Sequence, residues 1–320
     1  MLTKEELELK YGKLPELLEV SKMNSLLNKK PNIYNLIDNV YLHVIEWLTS
    51  ESINYIEQKI TLDNDDIIKS INIDNKLLII VIDDYTLYNK ERLGKDISSK
   101  IHKKYQDEGF RVIWCKKFEW ENTNKRVVMK SLILHAIGKT TQRTFARKTV
   151  AEVIENKELK DFLNESSFYG FRGASQAVCL RDKQTNEILE AMTFGHPYYA
   201  KNKYGEKCVE CIRSATKPFT MVVGGMSKLM NFYIKTFGND INSIVYYVDD
   251  AHYQSKTMDF LGFEFSHFSG YGVHNVFIET GSQFMRTPAL HKEIKFLQSK
   301  KELYAIPDVG NTIFVYKPTM

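Results

Sequence analysis

Cysteine is scarce in this chain. Cys115, Cys179, Cys208 and Cys211 are the only four in 320 residues, too few for a disulfide framework, so a reducing compartment, the cytoplasm, is expected. Long apolar runs are missing too. The longest aliphatic stretch, Leu77–Ile82, is far shorter than a membrane-spanning helix requires, and no membrane partner is expected. The N-terminal Met1-Leu2-Thr3-Lys4-Glu5-Glu6 is charged where a signal peptide would be apolar. No internal repeat or low-complexity tract is present. Acidic residues run short in one region: residues 100–148 hold 13 Lys or Arg against 4 Asp or Glu. Residues 1–99 hold 12 against 17, and residues 149–320 hold 19 against 19. The modest net charge of +4 therefore conceals a basic central stretch.

With 43% hydrophobic and 26% charged residues, the composition is that of a globular chain long enough for two domains. Residues 1–60 carry apolar positions near a helical period, among them Leu14, Leu17, Leu18, Leu36, Ile37, Val40, Val44 and Leu48. Leu77–Ile82 reads as a buried strand, 92–108 as a polar helix stopped by Gly109, 110–115 as a second strand and 125–137 as a helix stopped by Gly138. The basic segment 140–148 reads as a linker. Beyond it, strands are expected at 177–180, 188–194, 209–215 and 244–248, with helices at 157–165, 227–237 and 253–261. The fold class expected is α/β (α+β) in two domains. The boundaries are 1–48 for a helical region, 49–139 for an α/β domain and 149–320 for a mixed-sheet domain.

Two groups of residues point to chemistry. In the first half, Asp83, Asp84 and Glu119 stand at strand ends, where carboxylates can share a divalent metal such as Mg²⁺ that activates water against a phosphodiester. Lys116, Lys117, Arg126, Arg143, Arg147 and Lys148 are the candidate contacts to a phosphate backbone. In the second half, Gly224-Gly225 leads from a strand into a helix carrying Ser227 and Lys228, a pattern that lets backbone N–H groups approach an anionic cofactor. Asp249, Asp250 and His252, at the end of the 244–248 strand, are expected to line the same cleft as catalytic groups, with His196, Glu210, Arg213 and Tyr253 as further candidates. Cys208-Val209-Glu210-Cys211 is half of a zinc knuckle without a second cysteine pair, and reads as strand.

Residues 50–138 resemble the very-short-patch-repair-like homing endonucleases of phages. The likeness lies in the strand Leu77–Asp84, Leu87-Tyr88, Gly109 through Trp114, Glu119-Trp120 and Lys130-Ser131. The sequence departs from that family at Asn72, where an Asp is usual, and at Lys90, where a His is usual. Residues 157–316 resemble the C-terminal half of the same family through Tyr169-Gly170, Met192 to Gly195, Glu210 with Arg213, Gly224-Gly225, Leu261-Gly262-Phe263, Arg286 and Asp308 to Asn311. The strand Tyr246–Asp249 resembles that of Mom-type DNA-modifying proteins, and the helix closing on Leu261-Gly262-Phe263 resembles the N-acetyltransferase superfamily. The resemblance implies a phage DNA-binding protein acting on double-stranded DNA in the host cytoplasm as a metal-dependent endonuclease, a hydrolase. It implies as an alternative a DNA-modifying group transferase taking an acyl donor, and as a further one a non-catalytic accessory protein. Endonuclease is the favoured enzyme class.

Overall fold

The computed structural model describes residues 1–16, 18–27, 38–199, 207–277, 283–285 and 290–318. Leu17, Leu36, Ile37 and Arg286, which enter the sequence expectations, lie outside them. The chain divides into two compact units. One comprises Met1–Thr123 with Tyr271–Val309, the other Asn124–Gly270 with Gly310–Met320. These differ from the expected boundaries of 1–48, 49–139 and 149–320. The helix at 125–137 belongs to the second unit, and a segment deep in the C-terminal half returns to the first.

The first unit begins with helices α1 (Lys4–Tyr11), α2 (Val20–Leu27) and α3 (Val40–Ser50). A meander of β1 (Ile56–Thr61), β2 (Ile67–Ile73) and β3 (Leu77–Ile82) follows. Asp74 and Asn75, at φ 53° and 52°, make the tight left-handed turn that joins β2 to β3. The short α4 (Lys90–Leu93) and then α5 (Ile97–Asp107) carry the chain over to β4 (Arg111–Lys116), which lies parallel to β3. The sheet order is β1-β2-β3-β4. All six residues of β3 are buried, as a strand with neighbours on both sides and cover on both faces requires. Gly94 splits the single helix expected at 92–108 into two. Helix α6 (Lys117–Glu121) closes this part.

In the second unit, α7 (Thr123–Ala136) leads to β5 (Gln142–Phe145), a short 3-10 turn over Ala146–Lys148, β6 (Thr149–Val153) and α8 (Asn156–Ser166). Strands β7 (Gln176–Asp182), β8 (Ile188–Phe194), β9 (Tyr198–Tyr199), β10 (Lys207–Thr216) and β11 (Thr220–Val223) precede helix α9 (Gly225–Phe237). Then come β12 (Ser243–Asp249), α10 (Lys256–Phe260) and β13 (Glu264–Phe268). The chain next supplies the first unit with β14 (Val273–Phe277), β15 (Gln283–Met285), α11 (His291–Ser299) and β16 (Leu303–Pro307), and ends in the second unit with β17 (Asn311–Tyr316). The expected linker at 140–148 is therefore partly a strand: β5 pairs in parallel with β11.

The main sheet of the second unit runs β13-β17-β12-β10-β8-β7-β6. Alternation along β7 sends Val178 and Leu180 into a core with Leu229, Met230 and Tyr233 of α9. It sends Ala177 and Cys179 to the opposite face, against Leu159 and Leu163 of α8. Helices α8 and α9 thus cover opposite faces.

Candidate functional site

The parallel neighbours β10 and β12 are hydrogen-bonded only from Cys208 opposite Ser243 to Cys211 opposite Tyr246. Beyond that point they part. From a bulge between Cys211 and Arg213, β10 continues to Thr216 against β8 alone, and β12 continues to Asp249 against β17 alone. The bulge bends β10 away from its partner. A wedge-shaped gap opens in the middle of the sheet, with the facing edges of both strands unpaired across it.

On the α9 side of the gap, Ser214 is hydrogen-bonded to Tyr246, and Tyr253 packs beside them. Glu190 of β8 lies there too, within electrostatic reach of Tyr246. It is 5% exposed and has no hydrogen-bond or ion-pair partner among the described residues. Burial pushes its carboxyl up to about 8, so it carries a proton at neutral pH. The carboxyl reaches the start of α9. Gly224 adopts a left-handed φ of 77°, and a Cβ on Gly225 would stand 1.8 Å from Glu190 Oε2 and 2.9 Å from Val222 Cγ1. Only glycine at 225 leaves room for the acid beside the first turn. Gly225→Ala is accordingly expected to cost about 1–3 kcal/mol of stability by overpacking, read by urea unfolding. Glu190→Ala in the same chain should recover part of it, and a fully additive double mutant would show that the two sites do not touch.

On the α8 side, Asp249 ends β12. Its Oδ2 accepts from the Tyr169 hydroxyl at 2.8 Å and lies 2.5 Å from His252 Nδ1, and its Oδ1 accepts from the Ala251 N–H at 3.0 Å. His252 is 1% exposed and stacks on Phe168, ring centroids 4.1 Å apart. Arg213 donates to the Gly170 carbonyl at 3.0 Å, and its guanidinium carbon lies 5.6 Å from the centre of the Tyr169 ring. Burial, reinforced by nearby Arg172, lowers the Arg213 pKa. It makes no ion pair among the described residues, which leaves a partly desolvated cation beside the gap. A cavity of about 420 Å³ on this side is lined by Arg172, Ser175, His196, Tyr198, Glu210 and Ile212 among others. Within it, Ser175 Oγ and His196 Nδ1 are 3.2 Å apart.

Several expectations are corrected here. Gly224 and Gly225 do form a strand-to-helix turn, but Ser227 and His252 do not share a cleft, because α9 and the loop after α8 lie on opposite faces of the sheet. Asp250 is occupied by Thr312 Oγ1, at 2.9 and 2.8 Å from its two carboxylate oxygens. Lys228 spends its ammonium on Ala146 O, Thr149 O and Thr149 Oγ1, at 2.8, 2.6 and 3.3 Å, and pins α9 to the strap before β6. Glu190, Ser214, Tyr246 and Ser175 were not anticipated. A lone acid in the apolar run Ile188–Phe194 was the one signal that could have found Glu190.

In the first unit the three expected metal ligands are committed elsewhere. Asp83 caps α3 through the Val40 N–H at 2.9 Å, Asp84 closes a turn on Thr86 N at 2.7 Å, and Glu119 accepts from the Lys116 N–H at 3.1 Å. Asn72 closes the β2–β3 turn with Asn75 at 2.8 Å. No group of three His, Cys, Asp or Glu among the described residues is placed to hold a metal ion, so the residues present do not fit the Mg²⁺ site. Two of the expected nucleic-acid contacts are engaged within the protein. Lys116 is 1% exposed, bound to Asp308 Oδ1 at 2.5 Å, and Lys117 pairs with buried Glu121 at 2.9 Å. Arg126 is partly desolvated, which lowers its pKa. Arg143, Arg147 and Lys148 remain exposed. No helix among the described residues is long and apolar enough to cross a membrane.

No protein-family model matches the chain, and no curated protein matches it in sequence. The homing-endonuclease resemblance gains no support from these comparisons. Among solved structures, one assigned as a phosphinothricin N-acetyltransferase is 11% identical, with a TM-score of 0.30 over 54% of this chain and 99% of that one. The spermidine N-acetyltransferase SpeG of Vibrio cholerae, as a chimera, is 11% identical, with a TM-score of 0.31 over 53% of this chain and 95% of that one. Arabidopsis thaliana NAA60 in complex with acetyl-CoA is likewise 11% identical, with a TM-score of 0.31 over 53% of this chain and 98% of that one.

Proposed function

We propose that the second unit is a group transferase whose donor is an acyl thioester on a phosphate-bearing, amide-containing arm of the coenzyme A kind. The observation that carries this reading is the gap between β10 and β12. An extended arm with amides is what two unpaired strand edges bind, since it supplies the N–H and C=O groups each edge lacks. The start of α9, at the same end of β10, presents free N–H groups to the arm's phosphates. The protonated Glu190 beside it adds a donor rather than a charge.

The acceptor enters from the α8 side, in the cavity bearing Glu210, His196 and Arg172. An amine attacks the thioester carbonyl, the C–N bond forms and the C–S bond breaks. The thiolate leaves, and the amine's proton passes to a group in the cavity. Glu210 and His196 are the groups placed to take it. Arg213, hydrogen-bonded to the Gly170 carbonyl but without an ion-pair partner among the described residues, holds anionic character near the reacting carbonyl.

The test uses the full chain. Acetyl-CoA is expected to raise the melting temperature and bind in calorimetry, and to release free thiol with an amine acceptor whose product is identified by mass. Glu210→Gln should lower kcat by about 10²–10³ while leaving donor affinity within about twofold, because it faces the acceptor side. If acetyl-CoA at millimolar concentration neither stabilises nor binds the protein, the reading is wrong.

A further inference from the structure

From Asn122 to Ala151 the sequence has no Asp or Glu but seven Lys or Arg. Most of this run folds into α7, β5 and the start of β6, within the second unit. Its exposed end has a particular geometry. Phe145, the last residue of β5, keeps 36% of its surface in water. The guanidinium carbons of Arg147 and Arg143 lie 4.6 and 5.9 Å from its ring centre. Both arginines are exposed, and neither has an acidic partner among the described residues. Lys148 follows directly, exposed as well.

The backbone beneath them is held firmly. Phe145 stands opposite Val223 in the β5–β11 pair, one residue before the glycine turn. Lys228 ties the Ala146 and Thr149 carbonyls to α9. Two like charges gathered on one apolar ring repel each other, and that repulsion is relieved by an anion. An exposed ring between them adds a flat apolar face. Phosphates at regular spacing and flat faces occur together in a nucleic acid whose bases are unpaired. A duplex offers the phosphates but hides the faces, and an acidic peptide offers charge without a stacking surface.

We propose that Arg143, Phe145 and Arg147 form a binding site for single-stranded nucleic acid, in which a base extends the Arg–Phe stack and the flanking phosphates meet the guanidiniums and Lys148. The site does not depend on the group-transfer reading, since its test uses no acyl donor.

The experiment measures fluorescence anisotropy of the full chain with a labelled thymidine oligomer of about 16 nucleotides, an abasic oligomer of the same length and charge, and a duplex. The wild-type protein should prefer the thymidine oligomer over the abasic one by about tenfold. Phe145→Ala should bring the two within about twofold. Arg143→Ala with Arg147→Ala should lower the slope of log affinity against log salt by about 1.4. All three side chains are exposed, and circular dichroism will confirm that the variants keep the fold. Equal affinity for the two oligomers in the wild type would reduce the surface to a charge patch and overturn the proposal. Tighter binding to the duplex that survives Phe145→Ala, stronger competition by polyglutamate than by the oligomer, or no binding at low salt would each do the same.

Discussion

Glu190→Gln is expected to keep the affinity for the proposed donor constant from about pH 7 to pH 9.5, a range in which the wild-type protein is expected to lose about tenfold per unit once pH exceeds 8. The reason is electrostatic. Burial holds the Glu190 proton to about pH 8, and the carboxyl lies where the free N–H groups of α9 would receive phosphate. Below that pH it is neutral, so it can donate a hydrogen bond to the proposed donor. Above it, a carboxylate faces the donor's already ionised phosphates across a poorly solvated space. An amide has the same shape and never ionises.

The same substitution carries a stability signature of fixed sign. A carboxyl whose folded pKa is raised from 4.5 to about 8 holds a proton that the unfolded chain has released. Its contribution is complete below about 4.5, declines as pH rises through this window, and is gone above 8. The melting temperature of Glu190→Gln relative to wild type should therefore climb with pH between those limits. A parallel offset at every pH would mean that Glu190 is solvated in the folded protein. A transfer rate abolished at all pH values, with donor affinity intact, would instead make Glu190 the proton acceptor.

Lys116→Met is expected to destabilise the first unit by about 3–5 kcal/mol, among the largest effects a single change in this chain should produce. The Lys116 ammonium is 1% exposed, 2.5 Å from Asp308 Oδ1 and 3.8 Å from Glu119 Oε1, and Asp308 Oδ2 lies 3.3 Å from His274 Nε2. Burial alone would raise the Asp308 pKa, but Lys116 and His274 outweigh it and hold the carboxyl well below the ordinary range. Removing the lysine takes the ammonium away from two buried carboxylates. Lys116→Met combined with Asp308→Leu should return much of the loss, because an apolar pair needs no compensating charge. Urea denaturation of the three proteins decides this, and additive losses would rule out the coupling. For Asp308 the stabilisation is present above its unfolded pKa of about 3.8 and is lost as pH falls toward the folded value. Acid sensitivity should thus diminish in the double variant.

Single-strand elements were legible in the sequence because their signals are local. Leu77–Ile82 is a strand over the expected residues, since six consecutive aliphatic residues suit only a position covered on both faces. Gly138, at φ 75°, follows the end of α7. The strand-to-helix turn at Gly224 and Gly225 was readable for the same reason. Pairing partners were not readable. The expected linker at 140–148 contains a strand only because β11, some 75 residues later, completes its ladder. Residues 271–309 belong to the first unit although both flanking strands, β13 and β17, pair with each other in the second.

The sites divide along the same line. Residue type alone marked Glu210, Arg213 and the glycine turn, and they lie at or beside the gap. Residue type also marked Asp83, Asp84, Glu119, Asp250, Lys116 and Lys228 as available, and each proved to be committed to a backbone group, a hydroxyl or a buried counter-charge. Whether a charged side chain is free to act depends on which distant groups fold against it. The sequence by itself determined the strands, the helix stops and the basic stretch, because hydrophobic period, backbone freedom and charge are properties of neighbouring residues. Only the tertiary structure decided which strands part to open the gap, which acid is left buried without a partner, and which arginines remain exposed. Those outcomes are set by contacts between residues far apart in the chain, whose energies no local pattern contains.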